Sequence, residues 1–424
     1  MPTQNDIMFN SIRTGSFEQI YGSRTPEPAH DAFGRLRISD PLTIFDSQFT
    51  YNKQPFLWNE IIVGSANSTH LSNESSISMN VSTGATDSII RQTKEYFHYQ
   101  PGKSLLTMMT FCFGTSHINN SQKLGYFDVN NGIYLEYTNS VLYICKRSYV
   151  TGVVSDNRIA QTNWNIDNLT GTGGKNNISN INLDPTKSQI FLIDLEWLGV
   201  GRVRVGFVIN GAIIYAHEFL NANITNSVYM TTASLPVRYE ISNSNTAVET
   251  SMKQICSTVI SEGGIEEYRG IPLVGATPVA GRTVTARKPI MSIRAANNFN
   301  SIINRTKFVF SDVYAIPLDV STAYVEVVYN GTLTNATFSN VATDISAMEI
   351  ETTSNAISNG VIIDAFYISS TNQAKSSSTI SLKNRLPFTS SYDGTANGDI
   401  ISIVVTPLGG TTTVAASVNW KEIR

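Results

Sequence analysis

The sequence predicts an all-β protein. Charged residues make up only 15% of the 424-residue chain. β-branched and aromatic residues recur in short alternating runs bounded by Gly, Asn and Pro, the pattern of antiparallel strands and tight turns. We therefore expect an extended N-terminal arm, a large antiparallel sandwich of jelly-roll or concanavalin-like type, and a smaller C-terminal sandwich of Ig-like or jelly-roll type.

The N-terminal region is predicted to be the arm. Residues 1–45 carry scattered apolar side chains with no sustained period, and Pro26 and Pro28 interrupt them. Such a segment gains order when it lies on a neighbouring subunit. The alternative is a terminus that is loose or packed only locally.

Residues 46–268 are predicted to form the large sandwich. The main β-type runs are 89–99, 105–113, 133–145, 189–198, 203–209 and 212–219. Asn210-Gly211 is a strong type I′ turn signal between the last two runs.

The strand pairing around residues 189–219 can be predicted in detail. Placing Ile193 opposite Phe207 leaves a three-residue loop, 199–201, and puts Glu196 across from Arg204. The Asn210-Gly211 turn then brings His217 beside Arg204. We therefore predict a row of Glu196, Arg204 and His217 on one face, with a bulge or strand end near Glu218.

The rest of the chain is predicted to form a linker and a second sandwich. Residues 269–288 are rich in Pro and Gly and lack a clean period, which indicates a linker. A smaller sandwich is expected over 289–424. Its predicted strands are 307–316, 323–329, 360–368, 379–386, 399–406 and 415–420.

Composition excludes several functional classes. A net charge of −3 provides no basic field for nucleic acid. No apolar run is long enough to span a membrane, and the first residues lack an export signal, so we expect folding in a cytoplasm. Three widely spaced cysteines form no CxxC pair. We therefore expect neither a disulfide framework nor a zinc site.

The segment that contains Asp194 and Glu196 is the strongest candidate for a catalytic strand. Some concanavalin-like sandwiches are glycoside hydrolases, in which a strand carries Glu-x-Asp-x-Glu and two carboxylates flank the scissile bond. Leu192 stands where the first carboxylate should be. The five histidines are dispersed. We therefore predict that the protein is not an enzyme and that it has no catalytic residue, no metal ligand and no cofactor.

A second chemistry that the sequence could support is glycan binding. Tyr126, Tyr134 and Tyr137 could line a groove on which sugar rings stack, although such residues are commonly core residues. A trio of oxygen-bearing side chains, Asp128, Asn130 and Asn131, could hold calcium beside such a groove, or simply form a turn.

Three segments carry a resemblance to a known family. They are DAFGRLR at 31–37, TIFDSQFTYNKQPFLW at 43–58 and WLGVGRVRVGFVING at 197–211. They resemble tailed-bacteriophage virion structural proteins, a family of uncharacterised tail, baseplate or capsid-associated components. The resemblance implies a chain that is assembled in the bacterial host cytoplasm, resides in the virion and contacts other virion proteins.

The expected function is therefore that of a non-enzymatic virion subunit of the tail, baseplate or adaptor region. It should be a homo-oligomer, a trimer or a ring, that docks through its arm. The alternative is a capsid decoration protein, a head fibre or a receptor-binding protein that recognises a glycan on the host surface. Arg35 and Arg37 alternate with apolar residues on a predicted edge strand, which could add to a partner's sheet or belong to its own. The predicted attachment residues are Arg35, Arg37, Phe45, Phe49 and Trp58.

Overall fold

The structure is a computed structural model that describes residues 40–264, 270–370, 388–390 and 398–424. Most of the predicted arm, with Arg35 and Arg37, and the predicted strand at 379–386 lie outside these residues. Within the part that is described, no helix combines the length and apolar character needed to cross a membrane.

The first part of the chain forms antiparallel strands joined by turns, with one short 3-10 helix at Gln161–Asn163. In chain order the strands are β1 (Leu42–Gln48), β2 (Trp58–Val63), β3 (Asn67–Leu71), β4 (Ser76–Val81), β5 (Ser88–Thr93), β6 (Leu105–Cys112), β7 (Asn120–Phe127), β8 (Gly132–Thr138), β9 (Val141–Ser148), β10 (Ser155–Ala160), β11 (Gln189–Leu195), β12 (Val203–Ile209), β13 (Ala212–Phe219), β14 (Val237–Asn243) and β15 (Thr250–Ser261).

These strands build a sandwich of two sheets. One has eight strands, in the order β13-β12-β11-β6-β15-β4-β3 with β1 also paired to β15. The other has seven strands, in the order β10-β9-β8-β7-β14-β5-β2. In the central strands alternating residues face the core; Met109 and Phe111 of β6, for example, are fully buried. The core between the sheets is one apolar cluster, as a jelly-roll sandwich requires.

The second part of the chain is also made of antiparallel strands. They are β16 (Ile271–Ala276), β17 (Arg282–Val284), β18 (Lys288–Ala295), β19 (Asn298–Phe299), β20 (Ile302–Ile303), β21 (Lys307–Pro317), β22 (Thr322–Tyr329), β23 (Thr332–Thr334), β24 (Ser339–Asn340), β25 (Met348–Glu351), β26 (Ala356–Ser358), β27 (Val361–Ser369), β28 (Ile400–Pro407) and β29 (Thr412–Ile423).

The second sandwich has its own core. A six-stranded sheet runs β24-β25-β18-β28-β22-β27, and a four-stranded sheet has β29 between β21 on one side and β16 and β17 on the other. Trp420 of β29 is almost fully buried in a cluster separate from that of the first sandwich. The prediction of an all-β fold is confirmed.

Three predicted boundaries are wrong. The last residues assigned to the arm belong to β1, which pairs with β15 in the first sandwich. The run at 133–145 is a hairpin, because Asn139 and Ser140 take φ of 49° and 61° and reverse the chain. The predicted linker instead supplies β16 and β17, which pair with β29. Pro272 is tolerated there because β16 is an edge strand.

The predicted register of β11 and β12 is wrong by two residues. Ile193 pairs with Val205 rather than with Phe207, and Leu195 pairs with Val203. A shift of two residues leaves every side chain on the same face, so the apolar pattern alone does not distinguish the two registers. The predicted irregularity near Glu218 is present, since the pairing of β12 with β13 shifts between Val205 and Gly206.

Ion pairs join the two sandwiches. Lys94 Nζ lies 3.0 Å from Asp399 Oδ1. Arg305 Nε donates to Asp128 Oδ2 at 2.8 Å. Both carboxylates are buried, so these contacts lie inside the interface between the sandwiches.

Candidate functional site

The candidate site is a cleft of about 340 Å³ at one edge of the eight-stranded sheet. Four neighbouring strands reach this edge, because Leu105 of β6 pairs with both Leu195 of β11 and Ser261 of β15, and Leu195 also pairs with Val203 of β12. The loops that follow these strand ends therefore meet. We call this site the hairpin cleft; its charged lining residues are Lys103, Asp194, Glu196, Arg202, Arg204 and Glu262.

Asp194 and Arg204 form the inner wall of the hairpin cleft. Asp194 points away from the core because its neighbours Ile193 and Leu195 point into it. Its carboxylate accepts hydrogen bonds from the Arg204 guanidinium and from Tyr215 Oη, the latter at 3.1 Å. Burial, the largest single effect, would lower the pKa of Arg204. The charge of Asp194, its hydrogen bond and the nearby Tyr215 and Glu262 together raise that pKa above its usual value.

The opposite wall comes from the residues that flank β6 and β15. Ser104 Oγ donates to Glu262 Oε2 at 2.6 Å, and the backbone N–H of Glu262 donates to the Ser104 carbonyl at 2.9 Å. Lys103 Nζ donates to Gln100 Oε1 at 3.1 Å and to the Gly264 carbonyl at 3.2 Å. These hydrogen bonds fix the position of the opposite wall, and none of them involves Asp194 or Arg204.

The rim of the hairpin cleft is the loop between β11 and β12. The Glu196 N–H donates to the Arg202 carbonyl at 3.0 Å, which closes the loop. The Glu196 side chain is exposed, and within the described part of the chain its carboxylate has no hydrogen-bond or ion-pair partner. The Arg202 guanidinium lies 3.9 Å from Glu218 and is 42% exposed. Both side chains are therefore available to a ligand.

The predicted row of Glu196, Arg204 and His217 is not formed. Asp194 takes the place of Glu196 opposite Arg204, and Glu218 takes the place of His217. His217 is buried, and its Nδ1 accepts the Asn165 N–H at 3.2 Å. Burial, together with the nearby Lys146, lowers the pKa of His217 to about 4, so this ring is neutral at physiological pH.

Three predicted attachment residues are core residues. Phe45, Phe49 and Trp58 are 6%, 0% and 3% exposed, so they cannot form a docking surface in this fold. Phe49 and Trp58 instead pack around the buried guanidinium of Arg91, whose Cζ lies 5.5 Å and 5.8 Å from their ring centroids. The segment that contains them belongs to its own sandwich, whereas the edge strand predicted around Arg35 and Arg37 lies outside the described residues.

The predicted glycan-contact tyrosines do not form an open groove. Tyr126 and Tyr134 are 0% and 1% exposed, and Tyr126 Oη lies 2.8 Å from the Ala233 carbonyl oxygen. Tyr137 is half-buried and stacks on Phe113 with ring centroids 5.8 Å apart. Alternation places them in or beside the core, where cross-strand aromatic pairs stabilise the sandwich.

The oxygen-bearing trio at 128–131 forms a turn. Asp128 Oδ1 accepts the backbone N–H groups of Asn130 and Asn131, each at 2.8 Å, and Oδ2 accepts Arg305. Arg305 occupies the side where a cation would bind. Across the residues that the structure describes, no group of three or more His, Cys, Asp or Glu side chains is arranged to hold a metal.

Sequence reasoning identified part of the hairpin cleft. It singled out Asp194, Glu196 and Arg204, but it missed Lys103 and Glu262. These two come from segments about 160 residues apart in the chain, which meet only because β6 and β15 are neighbours in the sheet. No local pattern marks either residue.

Comparisons with known proteins give no family for this chain. No family model matches it, and no curated protein matches it. Similar solved structures include one described with endo-acting O-glycanases of the human gut microbiota (10% identity, TM-score 0.36, covering 52% of this chain and 99% of that chain). Others are a Bacillus licheniformis β-glucanase (8%, 0.32, 53% and 99%) and peanut lectin (9%, 0.29, 53% and 98%).

These structures, like this chain, contain β-sandwiches, and at such TM-scores they carry no argument about activity. The fold itself defines the class: a protein of two antiparallel β-sandwiches, the first of which has a polar cleft at one edge of its eight-stranded sheet.

Proposed function

We propose that this chain is a non-enzymatic structural subunit of a bacteriophage particle, a homo-oligomer of the tail, baseplate or adaptor region. The observation that carries the proposal is the outer face of the four-stranded sheet in the second sandwich. Tyr314 and Ile316 of β21 and Val274 of β16 are 39%, 58% and 54% exposed on it. A subunit that repeats in a particle needs such surfaces for its neighbours.

The composition of this face supports contact with protein. Ser417 of β29 lies between Ala276 and Tyr314, and Ala415 lies beside Ile316, so the part of the face around Tyr314 and Ile316 has small or apolar side chains. The next row is polar, because Asn419 lies between Val274 and the charged Asp312. Charge depletion with an exposed tyrosine is typical of the centre of a protein interface. The residues at 31–37, whose likeness to virion proteins was noted above, lie outside the described structure.

The carboxylates of the hairpin cleft support the non-enzymatic part of the proposal. Leu192 is fully buried at the position where a glycosidase strand would carry its first carboxylate. Asp194 is neutralised by Arg204, and Glu262 accepts a hydrogen bond from Ser104. Only Glu196 remains without such a contact in the described cleft, whereas hydrolysis of a glycoside uses two carboxyl groups.

The test is electron cryomicroscopy of particles from cells that express the chain, compared with particles that carry Ile316→Lys. We expect density for the chain at a repeated position, with the face around Ile316 buried against a neighbour. Ile316→Lys should reduce incorporation at least tenfold, because it places a charge in an apolar contact. The matched control is Val361→Lys, since Val361 is 46% exposed on the opposite sheet.

Two results would contradict the proposal. One is a particle fraction that lacks the chain while the chain accumulates as free monomer. The other is equal incorporation of the Ile316→Lys chain and the unchanged chain. Thermal unfolding of each purified variant separates a failure to assemble from a failure to fold.

A further inference from the structure

We propose that the hairpin cleft binds a neutral, polyhydroxylated ligand, a single sugar unit of a glycan. This inference concerns a site on the first sandwich and does not depend on the assembly role proposed above. It also replaces the tyrosine groove as the place where a glycan would bind, because Tyr126 and Tyr134 are buried and Tyr137 stacks on Phe113.

The charges of the hairpin cleft favour a neutral ligand. Three cationic side chains and three carboxylates line it, so its formal charge is zero. The Asp194 and Arg204 charges satisfy each other directly. A strongly anionic or cationic ligand would therefore meet as much repulsion as attraction in the cleft.

The hydrogen-bonding groups left at the rim fit hydroxyl groups. The Glu196 carboxylate only accepts hydrogen bonds, and the Arg202 guanidinium only donates them. Tyr99 also lines the cleft, and its Oη accepts the backbone N–H of Trp197 at 3.2 Å. Each hydroxyl group of a sugar both donates and accepts hydrogen bonds. Adjacent hydroxyls of one ring can therefore donate to the Glu196 carboxylate and accept from the Arg202 guanidinium.

The shape of the hairpin cleft fits a ligand of this size. Its volume of about 340 Å³ lies at the lower end of the range for small-molecule sites. Leu198 lines the cleft and is 55% exposed, which provides an apolar surface for the C–H face of a sugar ring. The rest of the lining is polar, as a hydrated ligand requires.

The test uses the full-length chain on an immobilised array of neutral and charged oligosaccharides, followed by titration calorimetry with the best neutral binder. Glu196→Gln and Arg202→Met should each weaken binding about tenfold, because each removes charge-assisted hydrogen bonds. Glu249→Gln is the matched control; Glu249 is exposed and precedes β15, whereas Glu262 follows that strand at its other end.

Salt dependence identifies the class of ligand. Binding of a neutral sugar should be unchanged between about 0.1 M and about 1 M NaCl, although the Debye length falls from roughly 10 Å to 3 Å. Three results would overturn the inference: no neutral saccharide bound by the unchanged chain, equal binding by both cleft variants, or binding only to charged saccharides that disappears at high salt.

Discussion

At the residue scale, a guanidinium buried inside the first sandwich controls local stability. Arg91 is 1% exposed, yet each side of its head group has a partner. Nε donates to Gln254 Oε1 at 2.6 Å, Nη2 donates to the Lys53 carbonyl at 2.8 Å, and Nη1 contacts the Glu60 carboxylate. Burial of a charge is costly unless it is paired in this way. Phe49 and Trp58 cover the guanidinium itself.

The first prediction is that Glu60→Gln destabilises the first sandwich by about 3 kcal/mol, because it leaves the Arg91 charge buried without a counter-ion. The transition of that sandwich in differential scanning calorimetry should shift down by roughly 6 to 12 °C. Glu74→Gln is the control, since Glu74 pairs with Lys253 on the surface and is 50% exposed. A shift no larger than that of the control would contradict the role assigned to Arg91.

At the scale of the element, the hairpin of β11 and β12 illustrates what local sequence determines. Alternation places Ile193 and Leu195 on the core face in either register, and Asn210-Gly211 forms the predicted turn with φ of 52° and 83°. The pairing partner is decided instead by the loop at 196–202, in which Gly201 N–H donates to the Trp197 carbonyl at 2.6 Å. Trp197 thereby leaves the sheet and packs against Tyr99.

The second prediction concerns this register. A double-mutant cycle with Asp194→Asn and Arg204→Met should give a coupling energy of about 1 kcal/mol, because the two groups are in contact and partly shielded from solvent. The same cycle with Glu196→Gln and Arg204→Met is the control and should give a coupling near zero. Chemical denaturation of the full-length variants provides the free energies. A coupling energy between Arg204 and Glu196, with none between Arg204 and Asp194, would contradict this register and support the one expected from the sequence.

At the scale of the whole molecule, charged contacts connect two sandwiches that have separate cores. Asp128 and Asp399 are 1% and 8% exposed at this contact, and their partners Arg305 and Lys94 come from the opposite sandwich. Lys307 and Glu95 add a third pair. Because buried pairs require a fixed geometry, they hold the two sandwiches in a defined orientation. The hairpin cleft of the first sandwich therefore has a fixed position relative to the exposed sheet face of the second.

The third prediction is that Arg305→Met uncouples the two sandwiches. Asp128 would remain buried without its cation, at a cost of about 3 kcal/mol. Calorimetry should then show two transitions further apart than in the unchanged chain. Lys253→Met removes an ion pair within one sandwich and should change stability by less than about 1 kcal/mol. Identical calorimetric profiles for Arg305→Met and the unchanged chain would refute the coupling.

The sequence by itself determined the fold class, most strand positions and the tight turn at Asn210-Gly211, because alternation and turn chemistry act between near neighbours. It also showed that Leu192 replaces a carboxylate on a strand that could otherwise be catalytic. Tertiary structure alone decided which partner Arg204 takes, that Phe49 and Trp58 are buried, and that Lys103 and Glu262 share a cleft. These outcomes depend on pairing between strands far apart in the chain, and a two-residue shift in that pairing leaves the local pattern unchanged.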